Sequence, residues 1–316
     1  MIAPIALFVY NRPDHAIRTI EALKSNQLAL ESDLYVFSDG PKTETAAQKV
    51  AEVRSLLTTI TGFRTINVVM RERNYGLAQS IIAGVTEVVS THGKVIVIED
   101  DMVTSPYFLR YMNDALDLYE HDDDVISIHG YVYPVKSRLP ETFFLRGADC
   151  WGWGTWKQSW EMFEPDGSKL LSELQQRGLE SAFDFEGTQG YTEMLKLQIA
   201  GSSDSWAVRW YASAFLRGKL TLYPGVSFVQ NVGLDFSGTH CSSTTVHDVE
   251  LATTPLELKK IAICEDANAR ITFAEYFASS TSSLKRMLKL LLGDSYFKWR
   301  CLLRRVYNQL PGYGRP

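Results

Sequence analysis

Cysteine is scarce in this chain. Four occur in 316 residues, Cys150, Cys241, Cys264 and Cys301, too widely spaced for a paired metal-ligand motif. No cysteine metal cage is expected; the four read as reduced cytosolic thiols, with a single bridge left open. Long hydrophobic runs are missing too. Nowhere do ~18 apolar residues follow one another, the length a membrane-spanning helix needs. The start, Met1-Ile2-Ala3-Pro4-Ile5, has no basic segment ahead of its apolar residues, so no signal peptide is expected and the site should face the cytosol. Positive charge is in deficit: the net charge of −5 argues against nucleic acid as a partner. No Gly-x-Gly-x-x-Gly follows the first apolar run, which counts against a dinucleotide and a redox role. With 45% hydrophobic and 22% charged residues, the composition supports a sizeable core and gives no sign of disorder.

What is present is organised around residues 94–101, Lys-Val-Ile-Val-Ile-Glu-Asp-Asp. Val95 to Ile98 form a β-branched apolar run, the pattern of a strand buried on both faces of a parallel sheet. Glu99, Asp100 and Asp101 follow at once. Burying three carboxylates without a cation or many donors costs several kcal/mol each. The strand must therefore deliver them to its carboxyl end, where open α/β sheets bind ligands. Hard oxygen ligands on a short tether suit Mg²⁺ or Mn²⁺ held jointly with a diphosphate. A solvated acidic turn is the bland alternative, and for an isolated Glu-Asp-Asp it would be preferred.

The neighbours shift that balance. Residues 5–10 read as a buried strand ending at Asn11-Arg12-Pro13-Asp14, with Asp14 as N-cap of a helix over about 16–25. A strand at 34–37 closes in the turn Ser38-Asp39-Gly40-Pro41. A helix over 46–57 leads to a strand over 65–70, then Arg71-Glu-Arg-Asn74-Tyr-Gly76-Leu77, a helix to about residue 90, and the central strand. Strand–helix alternation at this spacing implies a doubly wound, mostly parallel sheet with right-handed crossovers. Residues 1–105 form its nucleotide-binding half.

The second half is richer in aromatics. A helix spans about 106–118, Asp122-Asp123-Asp124 is a solvated turn, and 125–129 is another strand. Cys150-Trp-Gly-Trp-Gly-Thr-Trp156 puts three indoles within six residues, with Trp160 just beyond. Aromatic faces flanked by polar groups suit the CH faces of sugars, which marks Trp151 and Trp153; core packing is the competing reading for Trp156 and Trp160. Asp204-Ser205-Trp206 opens a helix with Asp204 placed like an N-cap, and capping alone would explain it. The polar segment from Val226 to His240, with glycines and a terminal histidine, has the look of an active-site loop.

Taken together, Phe8-Val-Tyr-Asn11-Arg12-Pro13, Ser38-Asp39-Gly40, Asn74-Tyr-Gly76-Leu77 and Val97-Ile-Glu99-Asp100-Asp101 occur in an order that resembles nucleotide-sugar glycosyltransferases of the GT-A fold. The resemblance extends to the N-acetylglucosaminyltransferases that start complex N-glycan branching and to bacterial transferases of surface-polysaccharide clusters. It continues through Gly152-Trp153, Asp204-Ser205-Trp206 and the Asn231-to-His240 loop, covering about residues 5–241. It implies a GT-A catalytic domain over 1–250, with an acceptor half over 106–250, followed by a helical basic tail over 251–316.

For the site, the resemblance implies that Tyr10, Asn11, Arg12, Asn74, Gly76, Glu99 and Asp100 line a nucleotide-sugar donor. Asp39 would receive the uracil ring or ribose. Asp101 would ligate Mn²⁺ or Mg²⁺, with His240 as a companion. Trp151, Trp153 and Trp206 would face the acceptor, a free or lipid-linked glycan. Asp204 falls near the general base, although the tryptophan register sets Ser205 where relatives often carry a second Asp. Inverting transfer of a hexosyl or N-acetylhexosaminyl group follows from the same likeness. A sugar-phosphate nucleotidyltransferase ranks lower, because the Gly-rich basic loop it needs after the first strand is replaced by Asn11-Arg12-Pro13-Asp14. A non-catalytic sugar-binding protein would leave residues 99–101 without purpose.

Residues 281–316 carry eight Lys or Arg against Asp294 alone, a net +7 that leaves −12 on the rest of the chain. Leu284, Met287, Leu288, Leu291 and Leu292 recur at helical spacing beside Lys285, Arg286 and Lys289. An anionic membrane surface is the expected partner, with a helical pair packed on the domain as the alternative.

Overall fold

The computed structural model describes residues 1–235 and 244–280. His240, Cys241, Cys301 and the basic tail over 281–316 lie outside the described residues. The first 105 residues alternate as expected: β1 (Ile5–Val9), α1 (Pro13–Lys24), β2 (Asp33–Ser38), α2 (Glu44–Leu57), β3 (Thr65–Met70), α3 (Leu77–His92) and β4 (Lys94–Glu99). A short β5 (Met102–Thr104) and α4 (Phe108–Leu118) lead to β6 (Val125–His129), β7 (Thr142–Arg146) and β8 (Trp153–Trp156). Next come α5 (Lys157–Trp160), α6 (Gly167–Gln176), α7 (Glu180–Phe183), α8 (Tyr191–Ile199) and α9 (Trp206–Leu216). Finally β9 (Leu220–Pro224), β10 (Val229–Asn231) and α10 (Ala267–Ser280) complete the described chain.

Local chemistry sets the boundaries. α1 begins three residues earlier than expected, because Pro13 supplies a helical φ at N1 and leaves Asp14 in the first turn rather than at the cap. Thr43 caps α2 by accepting from the Ala46 N–H. Gly93, with φ of +81°, ends α3 in the left-handed region and donates to the Val89 carbonyl.

Eight strands form one sheet in the order β3-β2-β1-β4-β8-β6-β9-β7. β1 to β4 are mutually parallel, and β6 and β9 run the same way. β8 is antiparallel to both neighbours and is wedged between β4 and β6; β7 is antiparallel at the edge. Ile96 and Ile98 of β4 enter one apolar cluster, with α1 and α4, while Val95 and Val97 enter another, with α3 and α9. Burial on both faces is why this strand reads as a continuous apolar run. Each such side chain contributes about 1.5–3 kcal/mol.

A third cluster joins Phe143, Phe183, Tyr211 and Phe215 to Ala269, Phe273 and Phe277 of α10. Leu256, Leu258, Ile261 and Ile263 lie against the first cluster. Residues 251–280, expected as the start of a separate tail, are thus packed into the domain, because their apolar side chains complete its core.

Candidate active site

β1, β2 and β4 end side by side, and their carboxyl ends carry the chemistry. Asp100 and Asp101 follow β4, and both are nearly closed to solvent. The Thr19 hydroxyl of α1 donates to the Asp100 carbonyl at 2.8 Å, and the Val232 N–H donates to the Asp101 carbonyl at 2.8 Å, fixing the turn from both sides. The Tyr10 N–H donates to Asp100 Oδ2 at 3.2 Å. Arg12 reaches across from the end of β1, and its Nη2 donates both to Asp100 Oδ1 and to Asp101 Oδ2, the latter at 2.9 Å. Asp101 Oδ1 is buried and has no hydrogen-bond partner among the described residues.

Electrostatics follow from this crowding. Burial pushes Glu99 up to about 8, with Asp101 and Asp100 adding to the effect and Arg12 opposing it. Burial also raises Asp100, against the pull of Arg12. Burial would lower Arg12, but the two aspartates outweigh it and hold the guanidinium firmly charged.

The loop after β10 closes over Asp101. β10 pairs with β5, so that Asn231 faces Met102. The Asn231 side chain accepts from the Gly233 N–H at 2.8 Å, and a Cβ at Gly233 would come within 2.2 Å of Asp101 Oδ2. Only glycine fits there. His15 of α1, which sequence reasoning missed, holds the same loop through contacts with the Val232 carbonyl at 3.3 Å and Asp235 at 3.2 Å.

Asp39 has a role the sequence did not announce. Its Oδ1 accepts from the N–H groups of Gly40 at 2.9 Å and Tyr75 at 2.8 Å. Its Oδ2 accepts from the Gly76 N–H and the Asn74 amide, each at 2.9 Å. A carboxylate offers about four acceptor sites, so Asp39 is saturated by its own chain. It stitches the end of β2 to residues 74–76 and clamps that loop; a ring or ribose contact would compete with these bonds. The Tyr10 hydroxyl accepts from the Lys42 N–H at 2.9 Å on the same rim, and Asn11 lies half-buried between Tyr10 and Arg12.

Asp204 is not the cap of α9. Ser205 takes that place, its side chain accepting from the Val208 N–H at 3.3 Å. The Asp204 side chain is therefore left 66% exposed, 3.6 Å from Arg209 Nη2. Gly76, with φ of +76°, stands next to it: a Cβ there would lie 3.8 Å from Asp204 Oδ2. The structure thus brings Asp204 to the loop of residues 74–76 from the far side of the sequence.

The tryptophans divide. Trp153 is 1% exposed and Trp206 is 2% exposed. They stack at 5.4 Å between centroids, with Trp160 and Trp210 around them. Both expected acceptor contacts are corrected to core residues, since an antiparallel β8 turns Trp153 toward α9 beneath the sheet. Trp151 is half-buried, packed against the first cluster with Tyr131 at 4.8 Å and His247 at 5.8 Å between ring centroids. It lies just before β8, whose Trp153 pairs with Val97, so it stands near the carboxyl end of β4. Its backbone N–H donates to His129 Nε2 at 3.1 Å, and burial lowers the His129 pKa.

Among the described residues no three His, Cys, Asp or Glu side chains converge to hold a metal by themselves. The chemistry of the donor set still fits a hard divalent cation shared with a ligand. Asp101 Oδ1 is an orphaned anionic oxygen, and a diphosphate would complete the shell. No helix among the described residues is long and apolar enough to cross a membrane.

The family model of glycosyl transferase family 2 matches residues 5–169, which is 165 of 316 residues and spans β1 to β8. The chain belongs to glycosyl transferase family 2. This glycosyltransferase has the GT-A fold, and the carboxyl-end cluster lies within the matched segment. No curated protein sequence matches it. Among solved structures it is similar to the mannosyltransferase PcManGT from Pyrobaculum calidifontis in complex with GDP-Man and Mn²⁺, at 11% identity and a TM-score of 0.30. That match covers 42% of this chain and 36% of the other. It is also similar to TarS 1–349 of S. aureus, at 11% identity and a TM-score of 0.39, covering 74% of this chain and 62% of that one. The glycosyltransferase thus spans under two thirds of the length of either structure.

Proposed function

We propose that this glycosyltransferase moves a hexosyl or N-acetylhexosaminyl group from a UDP-sugar to a hydroxyl of a glycan, with inversion and with a divalent cation. The observation that carries the reading is the buried, unpartnered oxygen of Asp101 at the end of β4, within reach of a guanidinium. Asp101 would hold Mn²⁺ or Mg²⁺ together with the donor diphosphate; His240, outside the described residues, is a further candidate ligand. When bound, the cation neutralises charge on the leaving nucleoside diphosphate.

The chain's own groups do the rest. Asp39 keeps residues 74–76 in the shape that bounds the nucleoside pocket, and Tyr10, Asn11 and Arg12 flank it from β1. Glu99 and Asp100 face the ribose and sugar. Asp204, exposed and next to Gly76, takes the acceptor hydroxyl proton as general base. Arg209 steadies its carboxylate, and Ser205 frees it from capping. Trp151 offers an aromatic face to the acceptor ring. Uridine as the base, inversion and a role in surface-polysaccharide or glycoconjugate synthesis rest on the likeness described from the sequence.

Cytoplasmic action on a lipid-linked glycan is part of the reading, supported by the basic and apolar composition of residues 281–316. Flotation with anionic liposomes, comparing the full chain with one ending at residue 280, tests that part. For the chemistry, thermal shift with UDP decides: stabilisation should require Mn²⁺ and vanish in Asp101→Asn. Equal stabilisation of the variant would remove Asp101 from the metal and diphosphate site.

A further inference from the structure

One guanidinium nitrogen stands where a cation would stand. Nη2 of Arg12 donates to Asp100 Oδ1 and to Asp101 Oδ2 together, and no other basic side chain among the described residues pairs with either aspartate. The backbone of Arg12 is fixed, since its carbonyl accepts the Ala16 N–H at 3.0 Å as α1 begins. The side chain is not sealed in; it is 18% exposed. Its tip can therefore leave the aspartates by rotamer changes alone, without disturbing the helix.

We infer that Arg12 is a resident counter-ion that competes with the divalent cation for Asp101 and hands it over only when a nucleoside diphosphate draws the guanidinium away. The inference rests on the metal-dependent reading above and adds an order of binding to it. Charge accounting gives the reason. Asp100, Asp101 and Arg12 together carry a net −1. A divalent cation arriving alone meets the positive charge of Arg12 and must compete with a charge-assisted hydrogen bond for the same carboxylate. A diphosphate arriving alone meets two aspartates. Arriving together, a cation and the two negative charges of a sugar diphosphate leave the net charge of the site unchanged. Arg12 then turns its planar fork to phosphate oxygens, a geometry guanidinium matches well. Asp101 is left with both oxygens free to ligate. Cation and nucleotide thus bind cooperatively, each removing the obstacle to the other.

The experiment measures bound Mn²⁺ directly, by the electron paramagnetic resonance signal of the free ion, with and without UDP and with no sugar transfer involved. Wild-type protein should take up Mn²⁺ weakly alone and far more tightly with UDP. Arg12→Met should bind Mn²⁺ alone about tenfold or more tightly than wild type, because a unit positive charge beside the site is gone. Its gain on adding UDP should shrink correspondingly. Circular dichroism checks the fold. If Arg12→Met does not fold, Arg12→Gln, neutral but still able to donate a hydrogen bond to the aspartates, should show the same direction of change, and Arg12→Lys, which keeps the charge, should not. Mn²⁺ affinity in the folded variant equal to or below wild type, with wild type still taking up Mn²⁺ in the presence of UDP, overturns the inference and leaves the metal reading standing. No uptake by wild type even with UDP overturns both.

Discussion

Replacing Asp39 by Asn changes one carboxylate oxygen to an amide nitrogen and nothing else in shape. The cheaper rotamer puts the nitrogen at Oδ1, where the Gly40 and Tyr75 N–H groups point; the other puts it at Oδ2, opposite Gly76 and Asn74. With the nitrogen at Oδ1 the Gly40 N–H loses its acceptor while the Tyr75 N–H keeps Oδ2 at 3.1 Å; with the nitrogen at Oδ2 the Gly76 N–H loses its acceptor while the Asn74 amide keeps the Gly40 carbonyl at 2.8 Å. At about 1–3 kcal/mol for a buried group left unpaired, and with Asp39 5% exposed, the expected cost of the one lost acceptor is about 1–3 kcal/mol. For a domain of this size that lowers the thermal midpoint by about 2–8 °C. The assay is the unfolding midpoint of nucleotide-free protein, followed by UDP affinity at a temperature where the variant is folded. Should the midpoint move by less than about 1 °C while UDP affinity collapses, Asp39 is a nucleotide contact and the clamp reasoning fails.

Asp204→Asn should lower kcat by ~10²–10⁴ with UDP affinity and thermal midpoint kept, whereas Ser205→Ala should cost about 1 kcal/mol of stability by uncapping α9. A reversed pattern, in steady-state kinetics and denaturant melts, would return Asp204 to a structural role. Trp153→Ala should destabilise by about 3–5 kcal/mol, while Trp151→Ala should chiefly raise the acceptor KM. Glu99 imposes a pH dependence on metal-free protein. Its folded pKa, about 8, lies above the ordinary 4.5 of the unfolded chain, so the folded state holds a proton the unfolded state releases between those values. Stability should fall as pH rises through that window, by an amount on the order of a few kcal/mol, and level off above it. Denaturant titrations in EDTA at several pH values should show that slope in wild type and a flatter line in Glu99→Gln.

The nucleotide half was legible because its signals are local. The run Val95 to Ile98 demanded a doubly buried strand, and the charges after it had to emerge at the sheet's end. Turn residues marked where β2 closes. The second half was harder, since its governing contacts are long in sequence. Nothing local to Cys150–Trp156 tells that β8 runs antiparallel between β4 and β6, so the burial of Trp153 was invisible, and Trp206 with it. Asp204 and Ser205 are both good capping residues, and only the geometry of α9 selects the second. The clamp formed by Asp39 joins residues 35 to 37 positions apart, and no spacing rule anticipates it.

The wedged position of β8 bears on how this enzyme can be divided. Strands β1 to β4 look like a self-sufficient unit in sequence, yet the inner edge of β4 is covered by a strand from beyond residue 150. A fragment ending near residue 105 would bare the Lys94-to-Val97 ladder, an apolar edge ready to pair with another chain. Residues 1–105 therefore cannot be cut out and grafted as a unit. Nor does a cut near residue 169, where the family match ends, release a closed unit: β6 and β7 both pair with β9, and Trp153 of β8 packs on Trp206 and Trp210 of α9, so the strand that seals β4 is itself held from beyond residue 200.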